Sequence, residues 1–87
     1  MDEGLLAAVQ RFPDRQRALE ALAARDEGFR SLCSDFADAQ AALQRWAESA
    51  SAVRERRCAE YAELVESLAT EIASGLDAAE AGSADVA

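Results

Sequence analysis

Histidine and lysine are both missing from this 87-residue sequence, proline occurs once and cysteine twice. Without imidazole, a metal centre would have to draw its soft ligands from Cys33 and Cys58 alone, a poor set for zinc. Carboxylate-bridged metal centres in helical bundles also need a Glu-x-x-His pair that this chain cannot supply. Catalysis likewise loses its commonest general acid and base, leaving the two thiols, Tyr61 and the carboxylates as candidates. Neither cysteine belongs to a Cys-x-x-Cys pair. Gly4, Gly28, Gly75 and Gly82 are too scattered to form a phosphate-cradling loop. No segment approaches the run of about 20 apolar residues that crosses a bilayer. The opening "MDEGLLAAVQRF" is acidic where a secretory leader is basic. These absences predict a non-enzyme with no cofactor and no metal, placed in the cytoplasm with its thiols reduced.

Positive charge is scarce too. Nine arginines face 17 acidic residues, a net charge of −8, which disfavours partners with phosphate backbones and anionic bilayers. One local reversal, "VRERRC", gathers Arg54, Arg56 and Arg57. Local use of that cluster is expected, in pairs with Glu48 and Glu60 and in a cation–π contact with Trp46. Glu20, Glu27, Glu60, Glu63, Glu66 and Glu71 read as solvated helix faces.

What the sequence does have is helical periodicity. Asp2 can cap a helix over residues 3–11, which Pro13 ends. Pro13 and Asp14 then suit the first turn of a second helix over 14–25, with Ala18, Leu19, Leu22 and Ala23 inward. Asp26 is a good cap for a third helix over 27–50, and Gly28 weakens any helix running straight through. In that helix Phe29, Leu32, Cys33, Phe36, Leu43 and Trp46 recur at steps of three and four. "ESASAV" breaks the pattern, and a fourth helix over 53–79 carries Cys58, Tyr61, Leu64, Val65, Leu68, Ile72 and Leu76. The tail, 81–87, is expected to be flexible.

Two long helices joined by a short polar turn pack antiparallel, so the fold class is all-α: a helical hairpin with short N-terminal helices. Centring the turn near Ser51 sets Phe36 against Leu68, Leu43 against Tyr61, Trp46 near Arg57 and Cys58, and Phe29 against Ile72 or Leu76. The same register separates Cys33 from Cys58 by roughly 18 Å along the axis, beyond the reach of a disulfide. A chain this short buries a small core, and a two-helix ribbon has two faces to cover. The N-terminal helices can fold over one of them. That leaves a small monomer or, as expected here, a homodimer in which two hairpins pair into a bundle.

The segments "RALEALAARDEGFRSLCSDFADAQAALQRW" and "EYAELVESLATEI" resemble small, functionally uncharacterised bacterial helical-hairpin proteins. The likeness lies in a short leading helix, then Asp26, Phe29, Leu32 and Cys33 at a helix opening, and a closing helix with Tyr61, Leu64, Leu68 and Ile72. From Arg17 to Ile72 it spans about two thirds of the chain. It implies a fold and a bacterial setting, and brings no catalytic residue with it.

The expected function is protein–protein association through an interface drawn from Phe29, Leu32, Phe36, Leu43, Trp46, Tyr61 and Leu68. Two alternatives stand beside it. One is a ligand- or redox-responsive bundle that uses Cys33 and an apolar pocket between the helices. The other is an acidic mimic that occupies a nucleic-acid-binding protein.

Overall fold

Asp2 starts the first helix as its side chain predicts: the carboxylate accepts the Leu5 N–H at 2.8 Å. In the computed structural model, which describes the backbone of residues 1–86 and the side chains of residues 1–82, this helix is α1, Glu3–Arg11. Pro13 ends α1 and opens a 3-10 turn, Pro13–Arg15, that leads into α2, Gln16–Arg25. Tightening of the expected first turn moves the start of α2 from 14 to 16. The break at Asp26 is present, and its carboxylate accepts the Phe29 N–H at 3.0 Å to start α3, Glu27–Ala47. The Arg30 guanidinium donates to the Ala23 carbonyl and so caps the end of α2.

Helix α3 stops short of the expected residue 50. Ser49 and Ser51 hold the turn instead, their hydroxyls accepting the backbone N–H groups of Ser51 at 3.0 Å and Val53 at 3.2 Å. The Arg54 guanidinium donates to the Ala47 carbonyl at 3.2 Å, tying the two sides of the turn together. The final helix, α4, spans Arg54–Val86 and outruns its expected end at 79. Ala78, Ala79, Glu80 and Ala81 are strong helix formers, and a lone Gly82 with no proline after it does not stop them. Residue 87, the end of the expected tail, lies outside the described residues.

The described residues contain no strand, and the fold is all-α. Helices α3 and α4 form the antiparallel hairpin in a molecule 55 Å long and 22 Å across. The 33 residues of α4 account for about 50 Å of that length. Phe29 lies against Gly75 and Arg57 against Trp46, as a turn centred near residue 52 requires.

Helix α1 lies on α3 at very close range. A Cβ placed on Gly4 would stand 2.7 Å from the Ser34 backbone nitrogen, so only glycine lets the two backbones approach this far. From there α1 runs toward α4, where Arg11 pairs with Glu66 at 2.9 Å. Arg15, just past Pro13, pairs with Asp77 at 3.0 Å and Glu80 at 2.8 Å. These exposed pairs fix direction more than they add stability.

The core forms where the four helices meet. Ala7 and Ala8 of α1, Leu19 and Leu22 of α2, Phe29, Cys33 and Phe36 of α3, and Val65, Ile72 and Leu76 of α4 are buried together. Phe36 is the largest fully buried side chain. All of it lies in the half of the hairpin away from the turn.

Candidate functional site

From Leu43 to Leu64, through the last turn of α3, the connection and the first turns of α4, no side chain is buried. The cause is length. Helices α1 and α2 span only about 14 Å and 15 Å, and they end against the base of the hairpin. Beyond Glu66 the two long helices stand alone, and a pair of helices buries only one stripe of each. Leu43, Trp46 and Tyr61 are half-buried there, and Leu64 is 43% exposed.

The uncovered apolar surface has a direction. Residues turn by about 100° per position on a helix. Glu66, Asp77 and Glu80, which receive the arginines of the N-terminal segment, therefore share one flank of α4. Arg57, Leu64 and Glu71 fall on the opposite flank, with Tyr61 and Leu68 at its edge. Together Arg57, Tyr61, Leu64, Leu68 and Glu71 follow a heptad spacing, the pattern of a helix seam that meets another helix. Trp46 flanks this seam from α3: with Arg57, Glu60, Tyr61 and Leu64 it lines a shallow hollow at the turn-proximal end. The Arg57 guanidinium sits 6.0 Å from the Trp46 ring centroid and pairs with Glu60 at 2.8 Å. The local use expected for the arginine cluster is present at Arg57, whereas Arg54 bonds the Ala47 carbonyl in place of the expected Glu48 partner.

The structure divides the expected interface. Trp46, Tyr61, Leu43, Leu32 and Leu68 are half-buried and retain surface. Phe29 and Phe36 do not: at 6% and 0% exposure they belong to the chain's own core, because α1 and α2 close over that end of the stripe. They are withdrawn from the candidate surface. Leu64, Arg57 and Glu71 join it. Their heptad spacing was visible in the sequence, but only the position of α1 shows that this flank is the open one.

Cys33 is 1% exposed, between Phe29 and Phe36 and beneath α1. Burial pushes its thiol from the ordinary value near 9 up to about 11, and the Asp2 carboxylate adds to the rise. It is protonated at neutral pH, a poor state for redox chemistry. Cys58 is half-buried, and both cysteines are free. Because the folded thiol ionises later than the unfolded one, the folded state keeps a proton that the unfolded state loses above about pH 9. Stability is therefore full below pH 9 and falls as pH rises toward 11. Thermal melts from pH 8 to 10 should show this loss, and a Cys33→Ala variant should be flat by comparison. Equal slopes in the two proteins would contradict the assignment.

Among the described residues no group of three or more metal-ligating side chains could hold a metal ion. No described helix is long and apolar enough to cross a membrane. The fold and the uncovered seam define a small helical hairpin capped at its base by two short helices. Compared with known proteins, the chain matches no family model, no curated protein and no solved structure.

Proposed function

We propose that this protein is an association module that works as a homodimeric helical bundle, without catalytic activity of its own. The observation that carries the reading is the half of the hairpin from Leu43 to Leu64, where apolar side chains are organised but none is buried. An apolar stripe left open beside a complete core is the usual mark of a protein-binding surface. The four-helix core supplies the rigid support, and the acidic exterior keeps the exposed stripe from indiscriminate aggregation. A non-catalytic role is supported by the protonated, enclosed state of Cys33. A cytoplasmic setting is part of the same proposal, since two unbridged thiols suit a reducing compartment. So is kinship with bacterial helical-hairpin proteins, supported by the short leading helices ahead of the hairpin.

Light scattering on protein eluting from a sizing column tests the reading. A mass near twice the 9.3 kDa of the chain is expected at tens of micromolar. A monomer mass throughout that range would remove the homodimer.

A further inference from the structure

The open flank of α4 carries charge in an order that selects its partner. Arg57 lies seven residues before Leu64 and Glu71 seven residues after it, each about 10.5 Å away along the helix axis. Heptad spacing puts all three on one stripe. In a parallel pairing of two such stripes, Arg57 would meet Arg57 and Glu71 would meet Glu71. An antiparallel pairing about Leu64 sets each Arg57 beside the Glu71 of the other copy, and a two-fold axis repeats the contact at both ends. Glu71 has no cationic partner among the described residues, whereas Glu66 on the covered flank is occupied by Arg11.

Resting on the association reading above, we propose that a second copy of this chain docks antiparallel on this flank. Leu64 lies at the two-fold axis, Tyr61 packs near Leu68 of the second copy, and Arg57–Glu71 pairs close the two ends. Leu64 is exposed in the single chain and becomes the centre of the dimer core. The antiparallel arrangement also lays the arginine-bearing turn of each copy along the acidic half of its mate, which lowers the repulsion between two chains of net charge −8. A parallel arrangement would raise it.

Sedimentation equilibrium on the full chain and four variants tests this, with circular dichroism confirming that each remains helical. Leu64→Glu should reduce the protein to monomer. Arg57→Glu and Glu71→Arg should each weaken the dimer about tenfold or more, because each sets like charges opposite one another twice per dimer. Arg57→Glu combined with Glu71→Arg should recover affinity to within about threefold of the parent, since the pairs re-form with reversed sign. A parent chain that stays monomeric would overturn both this arrangement and the homodimer reading. A dimeric parent that is indifferent to Leu64→Glu leaves the homodimer standing and overturns this surface. Loss of the dimer in Leu64→Glu without recovery in the double reversal overturns the antiparallel register.

Discussion

Replacing Phe36 with alanine is expected to cost about 3–5 kcal/mol and to bring the protein close to unfolding under ordinary conditions. Phe36 has no exposed surface and is the largest side chain so enclosed. It belongs to the one cluster that all four helices share, with Leu19 from α2 and Ile72 from α4 among its members. Removing the ring subtracts its transfer free energy and leaves a cavity among helices that cannot all close inward together. A domain of this length holds a net stability of roughly 5–10 kcal/mol, so one side chain represents a large share of the total. The midpoint of thermal unfolding should fall by roughly 12 °C or more. Phe36→Leu, which keeps most of the volume, should lose much less. Urea titrations followed by helical circular dichroism would measure both. A cost below about 1 kcal/mol for the alanine variant would show that the core is not organised around this ring. Protein concentration must be matched between variants, because the proposed dimer would add to apparent stability by mass action.

The contrast between Phe36 and Leu64 shows how far the sequence could be read. Both stand on apolar helical stripes, and periodicity alone treats them alike. What separates them is how far along the hairpin α1 and α2 reach, and that follows from chain direction after Pro13, which no repeat encodes. Local signals were legible where local chemistry decides the outcome. Asp2 and Asp26 start their helices because a carboxylate bonds a backbone N–H three residues on, whatever the rest of the chain does. The hairpin register was legible for a related reason, since the short turn and the two stripes determine it together. It places Arg57 beside Trp46 and Phe29 opposite the Ile72–Leu76 stretch, where the structure has them. The end of α3 was harder, because Ser49 and Ser51 are compatible with a last helical turn until their hydroxyls are seen holding the connection. The open flank with Arg57, Leu64 and Glu71 was hidden for the opposite reason. Arg57 reads as a locally paired arginine, Leu64 as one more stripe residue and Glu71 as a solvated face, and nothing joins them until α1 is known to lie on the other side. The same holds for Gly4, one of four scattered glycines in the sequence and a point of backbone contact in the fold.

Gly4→Ala is expected to destabilise the protein by about 1–3 kcal/mol, although alanine is the better helix former. The added methyl would lie 2.7 Å from the Ser34 nitrogen, 2.8 Å from its Cα and 2.9 Å from the Cys33 carbonyl carbon. All three atoms belong to the backbone in the middle of a 21-residue helix, which cannot yield locally. Helix α1 must therefore lift outward, drawing Ala7 and Ala8 away from the core they fill. Gly75→Ala is the matched control. Its methyl would meet Cε1 of Phe29 at 3.2 Å and Cδ1 at 3.3 Å, atoms of a ring that borders the hollow toward Leu22 and Arg25 and can tilt into it. There the gain of roughly 1 kcal/mol for replacing glycine inside a helix should dominate, leaving the variant as stable as the parent or more so. A second readout separates lifting of α1 from a general loss of stability. Cys33 lies directly beneath the Gly4 crossing, so its thiol should react faster with a disulfide reagent in Gly4→Ala than in a variant of equal stability altered elsewhere. A Gly4→Ala variant as stable as the parent, or an unchanged Cys33 reaction rate, would mean that α1 is not held against α3 at Gly4.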